Sequence, residues 1–199
     1  MLRSFYKSGK LEAGCDEAGR GCLAGPVFAA AVIFPTNYRN KHINDSKKVN
    51  EADRITLAEV IKNDALSWAV ARVDPPEIDR INILNASFLA MHKAIKKLSL
   101  TPGFLLIDGN RFNPFPGIDH ACIIKGDSLY IPIAAASILA KTSRDAFISS
   151  LGDQFPHYGW KKNKGYPTAM HRRAIETYGT CPHHRKTFRL LFTQSRLFS

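Results

Sequence analysis

The chain has 199 residues, enough for one substantial domain, and its 45% apolar content suits a globular core. Twenty-eight Lys and Arg against seventeen Asp and Glu give a formal charge of +11, which points to a polyanionic partner, most simply nucleic acid; a basic protein without such a partner stays open on charge alone. No signal peptide opens the chain, no apolar run is long enough for a membrane, and Cys15, Cys22, Cys122 and Cys181 form no C-x-x-C pair, so a reduced, cytoplasmic setting is expected.

The predicted elements follow in chain order. Leu11 to Cys15 reads as a strand that ends at two adjacent acids, Asp16 and Glu17, followed by Gly19-Arg20-Gly21. "PVFAAAVIFP", Pro26 to Pro35, is a second strand bounded by prolines. Asn50 is the N-cap of a helix over Glu51 to Lys62. "ALSWAVARVD" alternates in polarity and makes a third strand. Apolar residues at helical spacing predict one long helix over Glu77 to Leu98. "PGFLLIDGN" is a short buried strand ending at Asp108, and "HACIIKGD" another, leading to Asp127. A second long helix covers Ile131 to Leu151, and a shorter one lies near Pro167 to Tyr178. The expected fold is a mixed sheet with helices on its faces over residues 1–154. Residues 155–199 form a small basic helical extension packed on it; residues 151–199 hold nine Lys or Arg against two Asp or Glu.

Acids recur at the strand tips, at Asp16 and Glu17, at Asp108 and at Asp127. Any one of them is ordinarily a solvated turn residue or a helix cap. Four on three neighbouring tips would repel strongly, and hard divalent cations relieve that repulsion through oxygen ligands. In a basic protein this suggests two-metal phosphodiester hydrolysis with Mg²⁺ or Mn²⁺. Asp145 competes for the fourth place, but a rise of about 1.5 Å per residue puts it roughly 20 Å along its helix. It reads instead as a structural ion pair or hydrogen-bond anchor. "CPHH" at Cys181 to His184, even with His171 nearby, fits no common zinc spacing. The glycines around Arg20 permit unusual backbone angles and a close approach to a ligand, and their N–H groups could bind phosphate or a sugar hydroxyl; a tight turn is the plainer reading.

"CDEAGRGCLAGPV", "DSKK", "DGN", "KGD", "AAASILAK", "SRD", "GYPT" and "YGTCPHHRKTF" together resemble, in order and approximate spacing, bacterial ribonuclease HII over about residues 11 to 190. The resemblance implies a ribonuclease H-like fold with a C-terminal helical segment. It implies an endoribonuclease that cuts the RNA strand of RNA–DNA hybrids and nicks duplex DNA 5′ to a single embedded ribonucleotide, giving 5′-phosphate and 3′-hydroxyl ends. Asp16, Glu17, Asp108 and Asp127 correspond to the catalytic, metal-binding acids. Gly19, Arg20 and Gly21 would contact the 2′-hydroxyl through their backbone, Tyr166 would hydrogen-bond it and stack on the next deoxyribose, and Lys47 would hold a phosphate. Lys161, Lys162, Lys164, Arg172, Arg173, Arg185 and Lys186 would add positive charge.

Departures from the family pattern are small. Cys22 stands where many members have proline, Thr187 where serine is common, and "DSKKVN" replaces the frequent "DSKKL" form. With fifteen residues before Asp16, the N-terminal substrate-binding domain of ribonuclease HIII is not expected. The alternatives are another ribonuclease H-like nuclease of the resolvase type, which should lack G-R-G and "GYPT", and a non-catalytic basic RNA-binding protein, which has no use for clustered acids. Gln194 to Phe198, "QSRLF", resembles the short peptides that bind bacterial sliding clamps; packing of Leu197 and Phe198 on the extension is the competing reading. A monomer is expected.

Overall fold

The computed structural model describes residues 2–43 and 50–191. Lys47 and the Gln194–Phe198 peptide lie outside those residues.

Five strands, β1 (Glu12–Ala18), β2 (Val27–Ile33), β3 (Ser67–Val73), β4 (Phe104–Asp108) and β5 (His120–Ile123), form one sheet in the order β3-β2-β1-β4-β5. β1, β2 and β3 are antiparallel neighbours, while β1–β4 and β4–β5 are parallel. The helices are α1 (Glu51–Asp64), α2 (Pro75–Ile81), α3 (Ile83–Lys96), α4 (Ile131–Gln154), α5 (Trp160–Asn163) and α6 (Ala169–Tyr178). The mixed sheet flanked by helices is therefore as expected.

Strand alternation divides the core into two layers. Ala29, Ala31 and Ile33 of β2 pack with Phe88, Met91 and Ile95 of α3. Ala30 and Val32 face the other way, with Leu57 and Ile61 of α1 and Ile138 and Leu139 of α4. All seven residues of β2 are buried, which is why it reads as an unbroken apolar run. Each fully buried Ile, Leu or Phe contributes about 1.5–3 kcal/mol.

A third cluster joins the extension to this body. Leu23, Ala24, Ile148 and Leu151 pack against Tyr158, Trp160, Ala174, Ile175 and Leu190.

Two predicted elements differ. The helix expected over Glu77 to Leu98 is two helices, because Asn82 adopts φ 65° and ends α2. With ψ 164° Asn82 is extended away from both helices, and its side chain accepts the Asn85 N–H to cap α3. The first strand does not end at the acids. Asp16 and Glu17 lie within β1, opposite Ala30 and Ala29, because the hairpin with β2 outlasts the pairing with β4, which stops at Cys15.

Candidate active site

That difference in pairing length builds the site. Past Cys15 and Ile107, β1 and β4 part, leaving Asp16 and Asp108 side by side at the notch. Both follow the alternation onto the α4 face, below Gly14 and Leu106 respectively. Gly14 lets α4 lie directly on β1: a Cβ there would sit 2.2 Å from the Pro132 carbonyl carbon. Ser137, on the second turn of α4, then reaches the Asp16 carboxylate. Asp16 Oδ1 also accepts the Glu17 N–H at 2.7 Å.

Asp108 Oδ1 accepts the Gly126 N–H at 2.7 Å. This bond fastens the β4 tip to the one-turn 3-10 helix Gly126–Ser128, whose Asp127 is buried beside it. Gly126 is itself confined, since a Cβ would meet Ile133 at 2.5 Å. Glu17 lies on the opposite side of β1 and pairs with Arg20 at 3.2 Å.

Burial raises the Asp16 carboxyl well above the usual carboxylate range, and the charges of Glu17 and then Asp108 push it the same way. Burial also raises Glu17; Arg20 opposes this and Asp108 adds to it. The structure thus gathers Asp16, Glu17 and Asp108 into one mutually repelling set, with Asp127 in the adjoining turn. This donor set suits Mg²⁺ or Mn²⁺, hard cations that take oxygen ligands. No three His, Cys, Asp or Glu side chains among the described residues close into a ready-made cage.

Beyond Ala18 the chain turns through Gly19, Arg20 and Gly21. Gly19 has φ 96°, and a Cβ on it would strike Arg144 Nε at 2.0 Å. Gly21 has neither constraint: no atom lies within 4 Å of where its Cβ would be. Internal packing gives no reason for glycine there, whereas close approach of a ligand does.

Tyr166 is held next to this turn. The Leu23 N–H donates to the Gly165 carbonyl at 2.9 Å, and the Tyr166 hydroxyl shares a hydrogen bond with the Cys22 thiol. Burial pushes both of those groups up. The Tyr166 ring is partly exposed, with Lys141 Nζ 5.2 Å from its centroid.

His171 and His184 support Tyr166 from behind. Trp160 Nε1–H donates to His171 Nε2 at 2.9 Å, which leaves His171 Nδ1–H to donate to the Tyr166 carbonyl at 2.9 Å. His184 Nδ1 accepts the Cys181 N–H at 3.0 Å and turns Nε2–H toward His171 Nε2 at 3.2 Å. Both rings are thereby fixed as neutral tautomers. Burial, chiefly, lowers both, His184 to about 4.

Some expectations change. Arg185 is not part of the exposed positive charge, because its side chain is fully buried. Burial pulls it down to about 10, so it stays charged at neutral pH. Arg172 donates to the Arg189 and Leu190 carbonyls, and Lys164 pairs with Glu51 at 3.1 Å. Lys161, Lys162, Arg173 and Lys186 are exposed. Asp145 is a structural ion-pair residue, paired with Arg54 and Lys141 at 3.3 and 2.9 Å rather than with the adjacent Arg144. Ser137, Arg144 and His184 lie inside the quoted motifs "AAASILAK", "SRD" and "YGTCPHHRKTF", but the sequence assigns them no role at the site.

The family model for ribonuclease HII matches residues 13–195. The chain belongs to the ribonuclease HII family. A ribonuclease HII of Parabacteroides distasonis is 57% identical over 197 residues, 99% of each chain. That of Bacteroides thetaiotaomicron is 59% identical over 191 residues, 96% of each. Among solved structures, ribonuclease HII of Archaeoglobus fulgidus, in its complex with PCNA, matches with a TM-score of 0.76 at 26% identity, covering 94% of this chain and 98% of that one. Ribonuclease H2 of Pyrococcus horikoshii matches with a TM-score of 0.76 at 24% identity, over 90% and 94% of the two chains. The fold is ribonuclease H-like, and the ribonuclease HII family makes the chain a hydrolytic endoribonuclease acting on RNA–DNA hybrids. It has no helix long and apolar enough to cross a membrane among the described residues.

Proposed function

We propose that this enzyme nicks duplex DNA on the 5′ side of a single embedded ribonucleotide, with Asp16, Glu17, Asp108 and Asp127 holding divalent metal at the cut and Gly19, Arg20, Gly21 and Tyr166 reading the sugar. The observation that carries this reading is adjacency: the repelling carboxylates run directly into a turn whose Gly21 is open on its outer side.

Only a 2′-hydroxyl distinguishes the ribonucleotide from its DNA neighbours. Outward N–H groups of the turn can bind that oxygen, and the exposed Tyr166 ring can lie against the next sugar. Asp16 and Asp108 would hold the metal from the α4 face, Glu17 from the opposite side, and Asp127 from the 3-10 turn. Bound Mg²⁺ or Mn²⁺ supplies an activated water and charge stabilisation at the leaving oxygen. A Bst ribonuclease HIII structure, of 20% identity, is described as a complex with Mn²⁺. The chain's own contribution is to fix the sugar and the scissile phosphate over the acids, so that only one bond is presented.

Residues 155–199 form the basic extension that meets the duplex, through exposed Lys161, Lys162, Arg173 and Lys186, with Lys47 on a backbone phosphate. We further propose that the enzyme works as a cytoplasmic monomer and that Gln194–Phe198 docks on a sliding clamp, as the clamp-like peptide and the Archaeoglobus PCNA complex suggest.

The test is incision of duplex DNA with one internal ribonucleotide in Mg²⁺ or Mn²⁺. A cut 5′ to the ribonucleotide, leaving 3′-hydroxyl and 5′-phosphate ends, is expected. Cleavage confined to RNA runs would refute the single-ribonucleotide reading. For the clamp, a chain lacking Gln194–Ser199 should keep nuclease activity and lose clamp capture; an intact chain that captures no clamp would refute it.

A further inference from the structure

Two arginines far apart in sequence, Arg144 and Arg185, are fully buried side by side behind the Gly19–Gly21 turn. Each guanidinium nitrogen donates to a main-chain carbonyl. Arg185 Nη2 reaches Gly19 O at 2.7 Å, Nη1 reaches Arg20 O at 2.9 Å, and Nε reaches Gly25 O at 3.0 Å. Arg144 Nη2 reaches Ala24 O at 3.1 Å, Nε reaches Pro26 O at 3.2 Å, and Nη1 reaches Lys164 O at 2.9 Å. Three glycines of positive φ, at positions 19, 25 and 165, close around Arg144. A Cβ on Gly19 would overlap its Nε, and those on Gly25 and Gly165 would lie 3.7 and 3.4 Å from its Nη2.

A trans peptide is planar, with its C=O and N–H pointing in opposite directions. Drawing the Gly19 and Arg20 carbonyls inward onto Arg185 therefore turns the N–H groups of Arg20 and Gly21 outward. Those are the donors of the exposed turn, beside the carboxylates. Arg144 ties the same segment to Lys164, two residues before Tyr166. Burying a guanidinium costs several kcal/mol unless its donors are satisfied. The two guanidinium groups together meet six carbonyls of two loops, which calls for a role in fixing those loops.

We propose that Arg144 and Arg185 are positioning residues for sugar recognition: they set the outward N–H groups of the Gly19–Gly21 turn and hold that turn in register with Tyr166, without touching the duplex. This rests on the reading that the turn and Tyr166 recognise the 2′-hydroxyl.

The test compares binding to two duplexes that differ only in one 2′-hydroxyl, in metal-free buffer, for the full chain and for Arg185→Lys and Arg144→Lys. Lysine keeps the charge but not the planar fork. The full chain should prefer the ribonucleotide duplex by about tenfold, the worth of a good hydrogen bond. In either variant the preference should fall toward one, while affinity for the all-DNA duplex and its salt slope stay unchanged. A preference kept in both variants overturns the proposal. So does equal weakening on both duplexes with a salt slope reduced by about one, the mark of a direct phosphate contact. If the full chain itself shows no preference, the sugar reading fails and the proposal falls with it, and the two failures are told apart by that control. A second measurement needs no variant. In ¹⁵N-arginine-labelled protein, the locked guanidinium groups should give resolved, slowly exchanging Nη–H signals that all-DNA duplex leaves in place. Absence of such signals, or their displacement by that duplex, overturns the proposal even if both variants fail to fold.

Discussion

The two halves of the site are built on opposite electrostatic principles. Around Asp16, Glu17 and Asp108 like charges are crowded into a buried notch, and burial makes the repulsion worse. Around Gly19–Gly21 and Tyr166 the buried charges are cations, and each of their nitrogens has a carbonyl to donate to. The acid half is held in shape by the sheet against its own field, which the proposed metal would relieve. The half proposed to read the sugar has its internal hydrogen bonds made before any ligand arrives. Discrimination profits from rigid, prepaid geometry, whereas metal chemistry profits from unsatisfied charge.

Mutations should separate the halves, and the largest effect belongs to the acids. Asp16→Asn and Asp108→Asn should each lower incision by about 10²–10³-fold or more, as removal of a main transition-state electrostatic group does. Binding of substrate should be largely retained; near wild-type rates in saturating Mg²⁺ would remove these residues from the metal site.

The next effect lies behind the sugar reader. His184 titrates near 4 in the fold against about 6.5 unfolded, so the unfolded chain binds more protons between those values. Stability should therefore be intact above pH 6.5 and fall as pH drops toward 4, by about 3 kcal/mol at most from this ring. His171 acts in the same direction. Chemical denaturation across that range measures it, and His184→Gln should flatten the slope; an unchanged slope would place the acid sensitivity elsewhere.

Tyr166→Ala should cost about 1–3 kcal/mol of substrate interaction, the scale of base–aromatic stacking, seen as slower incision at single ribonucleotides. Its melting temperature should move little, because the ring is partly exposed. An unchanged rate would reduce Tyr166 to a packing residue.

The smallest effect has the opposite sign. Without metal, Asp16→Asn removes one of the repelling charges and should raise the melting temperature at pH 8 by a few degrees, roughly 2–4 °C per kcal/mol at this size. A drop would mean that the Ser137 and Glu17 hydrogen bonds to Asp16 outweigh the repulsion.

Much of this was legible in the chain. The apolar runs of β2 and β4, the N-cap at Asn50 and the acids near strand tips each follow from local pattern, because strand period and capping chemistry are local. The break at Asn82 was missed because apolar spacing continues through it; the polar residue between Ile81 and Ile83 was the available signal. Asp16 and Glu17 were placed past the strand end because the unequal reach of β1's two neighbours is a property of the sheet, not of the strand. The buried positions of Arg144 and Arg185 are hidden in the sequence for a related reason. In a basic chain an arginine reads as surface charge, and only the carbonyls of residues 19–26 and 164 show otherwise. Glycine at positions 19, 25 and 165 was the visible trace of an unseen side chain.

The bonds from Arg185 to Gly19 and Gly25 close loops of 166 and 160 residues. During synthesis, which proceeds from the N-terminus at about 5–20 residues per second, all five strands and the four acids emerge long before residue 185 does. A nascent or prematurely ended chain could thus present its carboxylates while the turn beside them still lacks its strut. Under the proposed roles, the capacity to choose a substrate is assembled after the capacity to cut one, and a late-made part of the chain makes the first-made part selective.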